Sequence, residues 1–318
     1  MTVAARAPSV VALSGGVGGA KLARGLARVL PAGDLCVIAN TGDDFTHLGL
    51  TIAPDFDSIL YAIAGLSDAQ RGWGRAAETW HALETLRNLG GPDWFALGDR
   101  DLGLHLWRSE RLRGGATLGA VARELATAFG LKQHLLPMSN APVRTRLRTS
   151  EGLLDFQHYF VRRRCEPVVL GIEFEGAATA AVCEDLATLM GGGRAQAIVL
   201  CPSNPYLSID PILAVPGWRD WLREQACPIV AVSPIVGGEV LKGCAAKLMR
   251  EFNQPVAATT IARHYAGLID VLCIDSRDAA LAPQIEALGM RCMVTQTVMT
   301  DDASREALAR QVLVAAAT

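Results

Sequence analysis

Two acidic turns stand close together in the chain: "NTGDDF" over 40–45 and "APDFDSILY" over 53–61. They bring Asp43, Asp44, Asp55 and Asp57 within fifteen residues. One aspartate before a helix is explained by capping, because its carboxylate accepts backbone N–H bonds. Four are more than capping needs. Carboxylates of this kind suit Mg²⁺, which binds through one or two of them and shares substrate phosphates. They also orient or deprotonate a hydroxyl. Upstream lies "VVALSGGVGGAKLARGLARVL" (10–30), a strand, a glycine turn and a helix. Gly15, Gly16, Gly18 and Gly19 leave backbone N–H groups free at the positive end of a helix and allow an anion to come close. The turn is not a dinucleotide fingerprint, since no third glycine follows Gly16-Val-Gly in register. It is not a P-loop either, since Lys21 is followed by Leu22. Two readings stay open: a tight turn that packs helix on sheet, or a contact to phosphate or ribose.

Three further polar turns carry chemistry-bearing side chains. "LGDRDLGLH" (97–105) offers Asp99, Arg100 and Asp101, either a surface ion-pair knot or a phosphate clamp through Arg100. His105 reads equally as a structural histidine. "CPSNPYLSIDPIL" (201–213) sets Ser203 and Asn204 between prolines. That is an Asx-type turn, or an amide suited to a nucleobase edge. "SPIVGGEVLKGCAAKLM" (233–249) supplies Lys242 and Lys247, for phosphate charge or for the solvated surface.

These turns need elements to hold them. Short apolar runs such as "SVVALSG", "LCVIAN", "AQAIVLC", "CPIVAVS", "DVLCID" and "RCMVTQT" alternate with helical stretches over 20–30, 58–66, 75–89, 117–129 and 304–316. That alternation predicts an α/β fold: a Rossmann-like, mostly parallel sheet with helices on both faces. Ligands in such folds sit beyond the carboxyl ends of the strands, where these turns fall. The period changes over 143–160, where apolar and polar residues alternate around Glu151-Gly152, a hairpin signal. The chain therefore reads as one domain over 1–318, with a smaller α/β subdomain inserted or appended around 130–175.

Composition narrows the function. The chain has 318 residues, half of them apolar, with 30 basic against 32 acidic side chains. That balance argues against a nucleic-acid partner. No apolar run reaches the ~18 residues of a membrane span, and "MTVAARAPSV" lacks the apolar segment of a signal peptide. A soluble, cytoplasmic protein is expected. Eight cysteines occur without CxxC spacing, which favours reduced core thiols over a zinc site.

The segments "SGGVGGAKL", "NTGDDF", "PDFDSILY", "RGWG…ETW", "LGDRDLGLHL", "LLPMSNAPVRT", "PSNPYLSIDPIL" and "SPIVGGEVLKGCAAKLM" follow one another in this order. Together they resemble the 2-phospho-L-lactate transferase family of deazaflavin coenzyme (F-420) biosynthesis. The resemblance implies a Rossmann-like homodimer that uses Mg²⁺. It implies attack by the terminal ribityl hydroxyl of FO, a 5-deazaflavin alcohol, on a guanosine-diphosphate-activated donor in which the diphosphate joins guanosine to a three-carbon acid; attack falls on the phosphorus nearer the acid, and GMP leaves. By the same resemblance Asp43 and Asp57 are the catalytic, metal-side residues. Asp57 is either a ligand or the acceptor of the hydroxyl proton. Gly15, Gly16, Gly18, Gly19 and Asn40 line the substrate cleft, Ser203 and Asn204 face guanosine, Asp99 and Arg100 lie near the deazaflavin, and Lys247 serves phosphate. Ala96 departs from the pattern, because some archaeal-type members have a basic residue there. The acid itself, lactyl, enolpyruvyl or glyceryl, stays open. The alternative is a UDP-sugar-binding regulator of a related fold. An NAD oxidoreductase is weakened by the missing fingerprint.

Overall fold

The computed structural model describes residues 7–190 and 193–317; the first six residues of the "MTVAARAPSV" segment lie outside that set. Seven strands form the central sheet: β1 (Val10–Ser14), β2 (Leu35–Ala39), β3 (His134–Pro137), β4 (Ala197–Leu200), β5 (Ile229–Val232), β6 (Val271–Asp275) and β7 (Arg291–Thr295). Every pairing is parallel, in the order β7-β6-β5-β4-β1-β2-β3. β1, β2, β4, β5 and β6 are buried along their whole length. This is why they read as continuous apolar runs and not as alternating ones. One core layer joins Leu22, Leu26, Phe56, Leu60, Leu308 and Val312; the other joins Ile212, Trp218, Ile261 and Ile285. The doubly covered parallel sheet agrees with the α/β, Rossmann-like expectation.

The strand order matters for function. β1 lies between β2 and β4, so successive connections leave it in opposite directions. A crevice opens at the carboxyl ends of such a pair. Helix α1 (Gly16–Val29) starts directly after β1. Gly16 has φ +65°, a backbone conformation that favours glycine. A Cβ at Gly18 would lie 2.5 Å from the Pro202 carbonyl oxygen, and one at Gly19 would lie 2.4 Å from Ser203 Oγ. The helix start and the turn after β4 therefore touch because side chains are missing.

Helix α2 (Pro54–Ala64) begins earlier than the apolar spacing suggests. Proline suits a first-turn position, where no N–H partner is needed. Asp55 and Asp57 consequently sit inside the first turn. The charged stretch left without an element in the sequence is helix α3 (Asp99–Arg113), whose inward positions carry polar residues. In contrast, the helix expected over 75–89 is confined to His81–Asn88. Helix α4 (Asp302–Ala317) closes the chain against α1.

The hairpin expected around Glu151-Gly152 is present as Arg144–Thr149 paired with Gly152–Asp155, and Val169–Glu175 adds a third antiparallel strand. β3 belongs to the central sheet, so this small sheet begins at Arg144. A second hairpin pairs Phe45–His47 with Leu50–Ile52. All eight cysteines are free thiols. Among the described residues no helix is long and apolar enough to cross a membrane.

Candidate active site

The crevice beyond β1 and β4 holds a cavity of about 850 Å³. The glycine turn and Asp43, Asp55 and Asp57 line one side; Trp94, Phe95 and Phe156 line another. The lining is therefore both acidic and aromatic.

The acidic lining is built from short links. Asp55 Oδ1 accepts from the Gly16 N–H at 2.6 Å. Its Oδ2 accepts from Asn40 Nδ2 at 3.0 Å. The same Asn40 nitrogen lies 3.4 Å from Asp43 Oδ1, and Gln157 Nε2 donates to Asp43 Oδ2 at 3.3 Å. Asn40 thus ties the β2 turn to α2 and α1. Asp43, Asp44 and Asp55 are all buried. Burial, reinforced by the charges of Asp55 and Asp44, holds the Asp43 carboxyl well above the usual range. Burial pushes Asp55 up to about 6, although Asn40 and Gly16 hydrogen bonds oppose it. Burial also takes Asp44 to about 8, against the pull of Arg144 and Arg108. Asp43 and Asp55 share the Asn40 Nδ2 donor. Two buried carboxyls this close favour one shared proton, or a cation in its place.

Asp57 has a different setting. It lines the cavity, but both its oxygens face the Arg108 guanidinium: Nη1 donates to Oδ2 at 3.0 Å, and Nη2 donates to Oδ1. Arg108 is 1 % exposed. Its guanidinium carbon lies 5.7 Å from the Phe56 ring centre, and its Nη1 is 3.3 Å from His105 Nδ1. Tyr61 donates to Asp101 Oδ1 at 2.5 Å, and His105 Nε2 lies 3.5 Å from that same oxygen.

With this geometry in view, the comparisons with known proteins agree along the whole chain. The family model for 2-phospho-L-lactate transferase CofD matches residues 10–316. This chain belongs to the 2-phospho-L-lactate transferase family. A phosphoenolpyruvate transferase of Streptomyces griseus is 39% identical over 310 residues, which is 96% of this chain and 97% of that one. A 2-phospho-L-lactate transferase of Methanosarcina mazei is 36% identical over 304 residues, 96% of this chain and 99% of that one. A solved structure from Bacillus halodurans superposes with a TM-score of 0.64 at 16% identity, covering 97% of this chain and 100% of that one. At that identity the likeness speaks for the fold alone.

The residues expected at the site separate into two groups. Gly15, Gly16, Gly18, Asp43, Asp57, Ser203 and Asn204 all line the cavity. Asn40 supports it from behind. Ser203 is locked to Gly15, its Oγ donating to the Gly15 carbonyl at 2.8 Å and accepting its N–H at 3.1 Å. The Asn204 side chain caps the turn at Pro205–Ile209, accepting from Tyr206 and Leu207 N–H groups at 3.0 and 3.3 Å. Gly19 packs on Ser203 and does not line the cavity. Three other side chains also lie outside it. Asp99 accepts from Thr79 Oγ1 and from the His81 and Ala82 N–H groups, which caps the helix His81–Asn88. Arg100 is exposed. Lys247 is engaged by Glu251, the Pro167 carbonyl at 2.8 Å and the Tyr159 hydroxyl at 3.2 Å. Ala96 does line the cavity.

Sequence reading counted Asp55 among four candidate carboxylates without giving it a role, and left Arg108, Tyr61 and Gln157 out of the site. A helical reading of 99–113 would have found Arg108, since Asp101, His105 and Arg108 repeat at the spacing of one helix face. Asp55 carried the same signal as its neighbour Asp57, and only the helix start at Pro54 separates their directions.

Proposed function

We propose that this transferase joins a phosphorylated three-carbon acid to the terminal ribityl hydroxyl of FO, drawing it from a GDP-linked donor and releasing GMP in deazaflavin coenzyme biosynthesis. The observation that carries the reading is the Asp43–Asp55 pair, buried beside the glycine turn in the switch-point crevice of a chain that matches the family from end to end. The aromatic lining of the cavity suits a flat deazaflavin ring, and its carboxylates suit a metal-bound diphosphate.

The residues fit Mg²⁺. Asp43 with Asp55 would hold it, because two buried carboxyls that share a proton offer a divalent ion the charge it needs, and substrate phosphates complete its shell. When bound, Mg²⁺ neutralises the diphosphate and polarises it for attack. Asp57 orients the ribityl hydroxyl and takes its proton; each carboxylate oxygen has a second lone pair beyond the one Arg108 uses. Gly15, Gly16 and Gly18 let the diphosphate approach the backbone. Positioning supplies most of the acceleration in such transfers.

The test is direct. Purified protein is incubated with FO, Mg²⁺ and each of the lactyl, enolpyruvyl and glyceryl donors in turn. Mass spectrometry is expected to find GMP and one phosphodiester-linked FO product. Absence of GMP with all three donors would overturn the reading.

A further inference from the structure

Beside the main cavity lies a recess of about 460 Å³, reached past the first turns of α1. Four cationic side chains line it: Lys21, Arg24, Lys242 and Arg305. Arg24 and Arg305 are both held by Asp302, each at 2.6 Å. Lys21 and Lys242 have no carboxylate partner among the described residues. The Lys21 ammonium donates to the Met299 carbonyl at 2.9 Å, and that of Lys242 to the Gly72 carbonyl at 3.3 Å. An ammonium carries three donors, so each lysine keeps two to spare. Among the described residues these two lysines are also the only cations that line both the recess and the main cavity. Arg164 faces the main cavity alone. The recess carboxylates are taken: Asp68 pairs with Arg71 at 3.0 Å, and Asp301 accepts from Ser304.

Burial, then Arg305, then Lys242 lower the Lys21 pKa, the mark of like charges gathered without a counter-ion. An anion between the two ammonium groups would remove that penalty.

We infer that Lys21 and Lys242 form the receptor for the carboxylate of the donor's three-carbon acid, with the acid seated at the mouth of the recess. This rests on the transfer reading given above. The donor has two anionic parts. The diphosphate is matched by the Asp43–Asp55 cation site and the glycine turn. The carboxylate, one carbon from the phosphoester oxygen, needs separate cations, and the lysine pair supplies them on the neighbouring wall. The ligand class is thus an α-phosphoryloxy carboxylate.

The experiment compares two guanylated ligands by calorimetry with Mg²⁺ present: GDP whose β-phosphate is esterified by the three-carbon hydroxy acid, and GDP whose β-phosphate carries a plain ethyl group in place of that acid. The unmodified protein is expected to prefer the acid by about 10- to 100-fold, the range of a charged hydrogen-bond pair. K21M and K242M are each expected to lose most of that preference while binding the ethyl ligand as before, with unchanged melting temperatures. Equal loss for both ligands would assign the lysines to the diphosphate and overturn the inference. So would a preference that survives both substitutions. If the unmodified protein binds neither guanylated ligand, the transfer reading fails on its own. Phosphoenolpyruvate against inorganic phosphate then decides: a lysine-dependent preference for phosphoenolpyruvate upholds the receptor, and no preference removes it.

Discussion

Asp55 and Asp57 are two residues apart on one helix turn, yet they occupy opposite electrostatic settings. Asp55 meets another carboxyl, Asp43, with only neutral donors around it. Asp57 meets a buried guanidinium that satisfies both of its oxygens. The first arrangement lacks positive charge and is completed by a proton or a cation. The second is already neutral. A cluster of aspartates is therefore not one site with four equivalent members. The partners brought by distant elements, Asn40 after β2 and Arg108 on α3, decide which carboxylate is left with neutral donors and which is paired with a cation.

The contrast breaks most sharply at Asp43. Asp43→Ala is expected to cut turnover by about 10²–10³-fold, the scale of losing one transition-state charge contact, and to raise the Mg²⁺ concentration needed for half-activity. Steady-state assays across a Mg²⁺ series check this. An unchanged metal dependence would move the cation away from the Asp43–Asp55 pair. Asp57→Asn is expected to lose turnover on a similar scale with its Mg²⁺ dependence intact. If both variants shift the metal dependence alike, the division between the two settings disappears.

Arg108 tests the other half. Arg108→Met leaves Asp57 without its counter-charge inside the protein, and breaking a buried pair from one side costs about 3–5 kcal/mol. Urea denaturation measures it. Replacing both residues, as Asp57→Asn with Arg108→Met, is expected to cost less than the two single changes added together, because no lone charge remains. Strict additivity would mean that the pair is not coupled.

The sequence made the sheet legible because buried parallel strands leave apolar runs with few alternatives, and the polar turns after them fell where ligands bind. Gly15, Gly16, Gly18, Asp43, Asp57, Ser203 and Asn204 were visible as turn residues. Arg108 was not, because its partner is 51 residues away and its neighbours are charged, so α3 looked like surface. Asp99 drew attention by standing in a charged turn, but its carboxylate is used locally, on the N–H groups of His81 and Ala82. Lys247 is similar: its ammonium is taken by Glu251 one helical turn on. Spacing along the chain identifies which residues are polar and close. It does not say which of them already has a partner.

Acid–base behaviour sharpens the comparison further. Asp55 near 6, Asp44 near 8 and Asp43 well above its usual range all lie above the unfolded value of about 3.9. The folded protein thus holds more protons than the unfolded chain above that value. Stability without metal is expected to be greatest at the acid end of this window and to fall as the pH rises from about 4 toward 8, by up to about 1.4 kcal/mol per pH unit for each such group. Melting temperatures at pH 5.5 and 8 without Mg²⁺ measure the slope. Asp44→Asn is expected to flatten it, since an amide of similar shape needs no proton. A stability that rises over this range would contradict the shared-proton description of the acidic lining.

The smallest effect is expected at the opposite kind of aspartate. Asp302, at the start of α4, accepts from Arg24 at 2.6 and 2.7 Å and from Arg305 at 2.6 Å. The Arg24 hydrogen bond above all holds its carboxyl well below the usual carboxylate range. A depressed carboxyl stabilises the fold above its unfolded value of about 3.9 and loses that contribution as the pH falls toward its folded value. Its side chain is 33% exposed, so solvent screens the pair. Asp302→Asn is expected to cost only about 1 kcal/mol at neutral pH, and progressively less as the pH falls below about 3.9 toward the folded value. Denaturation at pH 7 and pH 3 checks the sign. A loss that grew on acidification would show that Asp302 is held like Asp43, by burial, and not by its arginines.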